Sequence, residues 1–325
     1  MTVGGPTCRA GEAALVAVDW GTTSCRAYAM SASGEVLAEV DRPAGVGSVT
    51  GSAAERHAEF ERVLASILDS LGVAAGSVPT VLGGMIGSSA GWLEVPTREV
   101  PCRLDGGRDL VEHRTGRGHT VYLVRGLHQG GDVPGLIRGE EAQLMAVADE
   151  RDRIVILPGS HSKWVLLTGN RVESFATFMT GEVLAAVSEH TILRAFAARP
   201  DRAGGSFSTA AFARGLELAE SSRGGLLADL FAARTLPLAG SVAPAETYPL
   251  LCGIVIGHEL SGGLEIHRRY CGRPITIVAR AEILEEYRIA FAAKGIAVEA
   301  APPEAAALGM WRIARSHGLV DGRHP

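Results

Sequence analysis

Lysine is the residue type that this sequence most nearly lacks. Of its 31 basic side chains only two, Lys163 and Lys294, are lysines, and the others are arginines. A lysine ammonium is a compact point charge whereas an arginine guanidinium is a planar fork, so the two are not interchangeable at an anion site. We expect Lys163 either to bind an anion or to be an exposed strand residue.

An excess of charge of either sign is also missing. The 31 basic and 36 acidic residues give a net charge of −5, without any block of like charge. Proteins that bind nucleic acid or anionic membranes need a basic face, so we expect neither partner and favour a small molecule. With 46% hydrophobic and 21% charged residues, the 325-residue chain has the composition of a folded protein and the length of about two domains.

Paired cysteines and long apolar runs are absent as well. The cysteines are odd in number and form no C-x-x-C pair, which argues against a disulfide framework and a zinc site. They are Cys8, Cys25, Cys102, Cys252 and Cys271. No run of about 18 apolar residues and no signal-peptide pattern occurs. We therefore expect a cytoplasmic protein that does not span a membrane.

What the sequence does contain is an order of strands and turns that occurs twice. Apolar runs separated by glycine turns predict three strands near the N-terminus and three more in the middle of the chain. The predicted strands are residues 15–20, 24–30 and 35–40, then 153–157, 163–167 and 172–178. The second set aligns with the first when Gly159 is placed on Gly21. This agreement predicts an internal duplication.

Helical patterning follows each set of strands. Apolar residues at three- and four-residue spacing predict helices in both halves. The predicted helices are 53–71, 139–148, 181–195, 208–231, 248–269, 282–294 and 303–316, with further strands at 80–84, 120–124 and 275–279. The expected fold class is α/β, with domains at 1–147 and 148–325 and a ligand cleft between them.

The first turn has the composition of a phosphate-binding loop. Asp19 and Trp20 precede Gly21, Thr22 and Thr23. A glycine lets the backbone approach an anion, successive N–H groups and hydroxyls donate hydrogen bonds, and the carboxylate can hold Mg²⁺. The alternative is a tight hairpin whose Asp and Thr side chains merely satisfy turn hydrogen bonds.

The second turn repeats this chemistry with a cation. Gly159, Ser160 and His161 lead into the strand that carries Lys163. We expect this segment to bind phosphate as well, although His161 could simply be a turn histidine.

Four further strings give the sequence a specific resemblance. They are GGMIGS at 83–88, followed by GW at 91–92, RGEEAQL at 138–144, PGSHSKW at 158–164 and FMTGE at 178–182. With the first turn, they resemble the 2-dehydro-3-deoxygalactonokinase family. The duplicated hairpins are similar to the ATPase fold shared by actin, the 70-kilodalton heat-shock proteins and sugar kinases. The resemblance implies two ribonuclease-H-like domains, and it covers nearly the whole chain from residue 15.

This resemblance implies transfer of the γ-phosphoryl group of ATP to the 6-hydroxyl of 2-dehydro-3-deoxygalactonate, with Mg²⁺ held by Asp19. Such a kinase needs a carboxylate to accept the hydroxyl proton. The segment after residue 139 is similar to the helix that carries a catalytic aspartate in glycerol- and xylulose-type kinases. By that comparison Glu140 is the expected base and Glu141 the second choice. Alternatively, both are acids that the start of a helix favours.

The remaining candidates follow from the same resemblance. A substrate carboxylate calls for an arginine, and Arg26 and Arg138 are the candidates. The family pattern implies that Gly84, Met85, Ser88 and Trp92 line the sugar-acid pocket, although Trp92 could be a core residue. Thr180 and Gly181 suit a nucleotide contact or the first turn of a helix.

One position departs from the family pattern. Arg280 stands where the family has a glycine beside the nucleotide. Its side chain could block ATP, or it could stack on adenine or meet a phosphate. The alternatives to the kinase are a non-catalytic sugar-acid sensor with this fold and a kinase for another 2-keto-3-deoxy acid, such as the gluconate epimer. The apolar helix at 248–264 could be core or the surface of a homodimer.

Overall fold

The computed structural model of the chain describes residues 12–104, 109–198, 206–270 and 272–320. Its strands are β1 Leu15–Trp20, β2 Cys25–Met30, β3 Val36–Arg42, β4 Thr80–Gly84, β5 Arg98–Glu99, β6 Cys102–Arg103, β7 Leu110–Arg114, β8 Thr120–Val124, β9 Leu127–Gln129, β10 Gly135–Ile137, β11 Arg153–Leu157, β12 Ser162–Thr168, β13 Arg171–Phe178, β14 Ile275–Ile277 and β15 Glu299–Ala300. Its helices are α1 Ala53–Leu71, α2 Glu140–Val147, α3 Thr180–His190, α4 Thr209–Glu220, α5 Leu226–Leu230, α6 Ala232–Leu238, α7 Thr247–Ile266, α8 Ala281–Ala292 and α9 Ala305–Ser316.

The two larger sheets share one strand order, which confirms the predicted duplicated α/β fold. One sheet has the order β3-β2-β1-β4-β8, and the other has β13-β12-β11-β14-β15. In both, the third and fourth strands of the order are parallel, as are the fourth and fifth. One extra strand extends each sheet, β7 beside β8 and β6 beside β13. A third, small sheet with the order β10-β9-β5 was not predicted.

The chain forms two compact units, and neither of them is one continuous stretch of sequence. The first contains the described residues up to Arg151, Leu167–Ser174, and the described residues from Pro302 onward. The second contains Asp152–Leu166 and Phe175–Ala301. The C-terminal helix α9 therefore belongs with the first unit, where Arg312 donates to the carbonyl oxygen of Met145 at 2.9 Å. The assignment of functions to residues 1–147 and 148–325, with a cleft between them, stays a prediction.

In the first unit, α1 packs its apolar face on the sheet. Ser52 and Glu55 form a capping box at its start, and Gly72 ends it with φ of 70°, so both ends are specified by local sequence. The side chains of Phe60 and Leu64, on this face of the helix, are buried. The ring of Phe60 meets that of Trp20 edge-on at 5.6 Å, an arrangement that aromatic pairs favour.

In the second unit, α4 and α7 approach closely because glycines face each other. A Cβ at Gly215 would lie 2.2 Å from the carbonyl oxygen of Leu250, and one at Gly253 would lie 2.1 Å from that of Phe212. Leu250, Leu251, Ile254 and Val255 of α7 are buried. These apolar residues of α7 therefore form core within this unit; a homodimer stays a prediction.

Two predicted helices are shorter than expected. The helix expected over 208–231 ends at residue 220 because Ser221 turns its hydroxyl back to the carbonyl oxygen of Glu217, at 2.8 Å, and Gly225 adopts φ of 73°. The helix expected over 181–195 ends at residue 190, where Thr191 becomes extended and its side chain accepts from the N–H of Leu193. Side-chain hydrogen bonds of Ser and Thr compete with the helix at both breaks.

Thiols, metals and membrane segments can be assessed for most of the chain. Cys25, Cys102 and Cys252 are free cysteines, while Cys8 and Cys271 lie outside the described residues. No cluster of three or more potential metal ligands from His, Cys, Asp and Glu occurs among the described residues. None of the helices in the described ranges has the length and apolar character needed to cross a bilayer.

Candidate active site

Three backbone segments meet at the carboxyl ends of β1 and β4 in the first unit. Gly84 has φ of 92°, and a Cβ there would lie 2.6 Å from the carbonyl oxygen of Trp20. Gly139 has φ of 112°, and a Cβ there would lie 3.1 Å from the Cα of Gly84. Side chains at these two positions would be both strained and obstructed. The glycines therefore bring together the first turn, the predicted sugar-pocket loop (residues 84–92) and the helix start that carries Glu140.

The first turn is a closed hairpin with an exposed tip. The N–H of Gly21 donates to the carbonyl oxygen of Ser24 at 2.9 Å, and the N–H of Gly47 donates to that of Thr22 at 2.9 Å. These bonds hold the turn from both sides. Thr22 and Thr23 remain exposed, which leaves their side chains available to a ligand, as a phosphate loop requires.

Asp19 lies just before this turn and is partly buried. Its pKa is raised to about 6, chiefly by burial; the charge of Arg26 lowers it, and the charges of Glu140 and Asp41 raise it. Glu140 and Asp19 are therefore close enough to repel each other. A divalent cation would relieve this repulsion, and Mg²⁺ commonly binds through one or two carboxylates with phosphate oxygens and water. The donor set at Asp19 fits a magnesium ion that arrives with a nucleotide.

Arg26 lies directly opposite Asp19 on the neighbouring strand β2. Its Nε donates to the Oδ2 of Asp41 at 2.9 Å, and the guanidinium is about one-third exposed. Arg26 thus contributes positive charge beside Asp19 while it is paired with a second acid. Binding of a substrate carboxylate by Arg26 stays a prediction.

Glu140 and Glu141 begin α2 but have different surroundings. Glu140 is partly exposed, and its Oε2 accepts the N–H of Arg138 at 3.1 Å. Glu141 is 3% exposed, its Oε2 accepts the N–H of Gly139, and its Oε1 has no hydrogen-bond partner. Burial raises the pKa of Glu141 to about 8, with a further contribution from the charge of Glu140. Of these two acids, Glu140 is the one that combines partial solvent access with a position near Asp19.

The predicted sugar-pocket loop is held by Arg138. Its Nη1 donates to the carbonyl oxygen of Gly87 at 2.6 Å, and its Nη2 donates to that of Val95 at 3.0 Å. Met85 and Ser88 are partly buried, and the hydroxyl of Ser88 donates to the carbonyl oxygen of Met85 at 2.6 Å. The guanidinium of Arg138 thus contacts the backbone of the loop, and its contact with substrate stays a prediction.

Trp92 is a core residue in this structure. It is 3% exposed and stacks on Phe60, with ring centroids 6.4 Å apart. Its indole N–H has no hydrogen-bond partner. His57 and His113 meet the indole ring edge-on. The structure therefore gives Trp92 a packing role, and its predicted contact with the sugar acid remains untested.

In the second unit, the second turn is backed by the start of α3. The N–H of Gly181 donates to the carbonyl oxygen of Gly159 at 3.2 Å, and that of Glu182 donates to Ser160 at 3.1 Å. A Cβ at Gly181 would lie 2.6 Å from the oxygen of Gly159. The strings around 159 and 181, both singled out from sequence, therefore form one substructure.

The side chains of the second turn divide into exposed and buried groups. Gly159, Ser160 and His161 are exposed, and the Nε2 of His161 pairs with the Oε2 of Glu182 at 2.5 Å. Lys163 is 5% exposed, and its Nζ donates to the carbonyl oxygen of His161 at 2.9 Å. The ammonium group thus lies under the turn, against its backbone, rather than on the surface of a strand.

Sequence reasoning missed Glu259, a buried acid of this unit. It is 3% exposed and lies on α7, among apolar residues. Its carboxylate accepts hydrogen bonds from Ser162, Trp164, Thr180 and Tyr287. An acid within an otherwise buried apolar helix was the available signal, because a buried carboxylate needs several donors.

Arg280 takes a backbone conformation that does not require glycine. It is the N-cap residue of α8, with φ of −66° and ψ of 158°, which any L-residue adopts. Its side chain is exposed. The absence of glycine at this position therefore causes no backbone strain.

Comparisons with known proteins agree on one family. The family model for 2-keto-3-deoxy-galactonokinase matches residues 19–313. The chain is 33% identical to "Probable 2-dehydro-3-deoxygalactonokinase" of Rhizobium meliloti (strain 1021), over 92% of this chain and 96% of the relative. It is 29% identical to the 2-dehydro-3-deoxygalactonokinase of Escherichia coli (strain K12), over 89% of this chain and 92% of the relative.

A solved structure gives the same result. A Sinorhizobium meliloti protein provisionally named as a 2-dehydro-3-deoxygalactonokinase superposes with a TM-score of 0.79 at 30% identity. The match covers 93% of this chain and 99% of that one. The similarity therefore extends over both units rather than over one motif.

Proposed function

Because the chain belongs to the 2-keto-3-deoxy-galactonokinase family and is an ATP-dependent sugar-acid kinase, we propose that it phosphorylates 2-dehydro-3-deoxygalactonate at the 6-hydroxyl. In this reaction the hydroxyl oxygen forms a bond to the γ-phosphorus of ATP. The bond from that phosphorus to the β,γ-bridging oxygen breaks, ADP leaves, and the hydroxyl proton passes to a base. The non-catalytic sensor is not favoured by the family match.

In the first unit we assign the base to Glu140. Glu140 is partly exposed, whereas Glu141 has both oxygens buried and a raised pKa that keeps it protonated at neutral pH. A general base must be ionised and must reach the proton that it accepts. The contact of Gly139 with Gly84 supports this role because it places the start of α2 against the predicted sugar-pocket loop.

Asp19 and the two turns would hold the nucleotide. Mg²⁺, when bound with ATP, offsets negative charge on the phosphate oxygens. Asp19 would hold this ion, and the exposed Thr22 and Thr23 would donate to phosphate. From the second unit, Gly159, Ser160 and the ammonium of Lys163 would do the same. We propose that these groups exclude water when both substrates are bound, so that the sugar hydroxyl rather than water accepts the phosphoryl group.

The observation that carries the proposal is the meeting of Trp20, Gly84 and Gly139. Close contact there leaves no room for a Cβ at either glycine. As a result, three strings that are far apart in sequence, each with a proposed role in phosphate, sugar or proton handling, share one place in the fold.

The test is a coupled assay for ADP release with Mg·ATP. It is run with 2-dehydro-3-deoxygalactonate, with the gluconate epimer and without sugar acid. ADP release only with the galactonate compound supports the proposed substrate; faster release with the gluconate epimer would replace it. No release with either, together with thermal stabilisation by a sugar acid but not by ATP, would favour the sensor, because a ligand stabilises only the state that binds it.

A further inference from the structure

Glu259 is an acid in the interior of the second unit, where an ionised carboxylate needs compensation. It is 3% exposed on α7, whose neighbouring residues Ile256 and Leu260 are buried. Each of its two carboxylate oxygens accepts two hydrogen bonds. Oε1 accepts from the Ser162 hydroxyl at 2.7 Å and from the Trp164 indole at 2.8 Å. Oε2 accepts from the Tyr287 hydroxyl at 2.6 Å and from the Thr180 hydroxyl.

The four donors come from the elements that surround the second turn. Ser162 is the first residue of β12, which the turn enters. Thr180 is the first residue of α3 and precedes Gly181, whose N–H contacts the carbonyl oxygen of Gly159. Tyr287 lies on α8, the helix that Arg280 caps. One carboxylate thus joins both sides of the turn to the helix that follows β14.

This arrangement uses properties that a carboxylate has and other side chains lack. An ionised carboxylate accepts at two oxygens and donates nothing. Glutamine would present an N–H₂ group to two of the four donors, and aspartate is one methylene shorter. In a buried polar network the placement of each side chain depends on its hydrogen-bond partners. Loss of one acceptor oxygen therefore moves the donors that it held.

We propose that Glu259 is a positioning residue for nucleotide binding. It fixes Ser162 and Thr180 at a set separation, and thereby holds the backbone of the exposed residues Gly159 and Ser160 in the geometry that phosphate requires. Glu259 itself is buried beneath the turn and acts through these neighbours. The inference rests on the proposed role of the second turn in binding ATP, and it adds a residue that no motif of the sequence marked.

The test compares the KM for ATP with the KM for the sugar acid. Glu259→Gln is expected to raise the KM for ATP about tenfold or more, the change that corresponds to about 1.4 kcal/mol. Tyr287→Phe removes one donor without changing the ring, and should give a smaller rise of about threefold. The KM for the sugar acid should stay within about twofold in both variants, because the sugar site is assigned to the other unit.

Asp229→Asn is the matched control. The Oδ2 of Asp229 lies 2.6 Å from the Nε2 of His258, the residue next to Glu259 on α7, and both side chains are mostly buried. The control therefore weakens a polar contact of the same helix without touching the turn. It should lower Tm and leave the KM for ATP unchanged.

The outcomes separate this inference from the proposed function. If Glu259→Gln lowers Tm but leaves the KM for ATP at the wild-type value, the residue is merely structural and the inference is wrong. Should Glu259→Gln fail to fold, Tyr287→Phe decides by the same comparison. Calorimetric titration with Mg·ATP gives Kd independently of turnover. A wild-type chain that binds ATP but phosphorylates no sugar acid refutes the proposed function alone, and one that binds no ATP refutes both.

Discussion

The guanidinium of Arg138 donates to the carbonyl oxygen of Gly87 at 2.6 Å. Its second terminal nitrogen donates to Val95, and its backbone N–H donates to the carboxylate of Glu140. One residue therefore connects the predicted sugar-pocket loop, and the segment that follows it, to the proposed base. Sequence reasoning expected this arginine to bind a substrate carboxylate. That expectation stays a prediction, and the structure adds a second one, in which Arg138 acts on substrate through the loop that it holds.

Arg138→Lys should therefore weaken sugar-acid binding while the fold is kept. A lysine ammonium cannot donate in two fixed directions to Gly87 and Val95 as the planar guanidinium does. Loss of one charge-assisted hydrogen bond, at about 1.5–3 kcal/mol, predicts a rise of roughly tenfold to a hundredfold in the KM for the sugar acid. The KM for ATP should change little. Steady-state kinetics with each substrate varied in turn gives both values.

Arg62→Lys is the control for this substitution. Arg62 lies on α1 and pairs with Glu59 on the surface, where its side chain is 65% exposed, so it should leave both KM values unchanged. Equal effects of the two substitutions, or an Arg138→Lys enzyme with wild-type kinetics, would show that the loop does not depend on the guanidinium.

Glu140→Gln should greatly lower turnover, whereas Glu141→Gln should leave it almost unchanged. Glutamine at 140 cannot accept the hydroxyl proton, and removal of a general base costs about 10²- to 10⁴-fold in kcat. Glutamine at 141 resembles the protonated acid that burial favours at neutral pH, so kcat at pH 7 should stay within about threefold of wild type. Comparison of kcat at saturating substrates measures both. Near-normal turnover of Glu140→Gln would remove this residue from the role.

The buried carboxyl of Glu141 should make stability depend on pH. Its pKa is raised from the ordinary 4.5 to about 8, first by burial and then by the charge of Glu140. Between these two values the folded state holds a proton that the unfolded state has lost. The free energy of unfolding therefore falls as pH rises through this window, by up to about 1.4 kcal/mol per pH unit from this group.

Glu141→Gln removes that contribution. The stability of the variant relative to wild type should rise between pH 4.5 and pH 8 and be constant outside this range. Urea unfolding of both proteins at pH 5, 6.5 and 8 measures the difference between their free energies of unfolding. Contributions of groups that titrate in both proteins cancel in this difference. Parallel curves for the two proteins would mean that Glu141 is not protonated in the folded state.

Patterns of local sequence predicted most of the fold. Helix α1 and strands β1, β4, β8 and β11 have the predicted bounds, because apolar periodicity and local capping residues specify them. The small sheet of β5, β9 and β10 was missed, since its strands have only two or three residues each. Such strands depend on long-range pairing, and no periodicity can develop over so short a length.

The candidate site was predictable to a lesser degree. Gly84 and Gly139 were in recognised strings, but their mutual contact follows from tertiary packing that no spacing encodes. Trp92 lies in the core with Phe60, which its sequence context left open. Glu259 was missed because its donors are 28 to 97 residues distant in sequence. Long-range polar networks of this kind leave almost no trace in a single sequence.

Arg280→Ala tests the position that departs from the family pattern. A cation at the N-cap of α8 lies at the positive end of the helix dipole, which is unfavourable unless an anion is near. Glu282 in the first turn of α8 already provides a negative charge, so contact of the exposed Arg280 with phosphate or adenine stays a prediction. The substitution should raise the KM for ATP by about threefold to tenfold and leave the KM for the sugar acid unchanged. A lower KM for ATP would instead mean that the side chain obstructs the nucleotide.

Gly181→Ala should disturb the second turn without backbone strain at residue 181. The φ of Gly181 lies outside the left-handed region, but a Cβ would come within 2.6 Å of the carbonyl oxygen of Gly159. Relief of this clash must move the turn away from α3, at a cost of about 1–3 kcal/mol. We expect a lower Tm and a KM for ATP raised about tenfold.

Gly130→Ala is the control for the added methyl group. The Cβ there would meet only Glu99 Oε1, at 3.7 Å, an ordinary contact distance, so Tm and both KM values should match the wild type. Because Gly159 is an exposed residue of the second turn, displacement of its carbonyl also reorients backbone that we propose to bind phosphate. A Gly181→Ala protein that loses stability yet keeps the wild-type KM for ATP would separate the effect on stability from the effect on nucleotide binding. It would show that the second turn does not bind the nucleotide through this backbone.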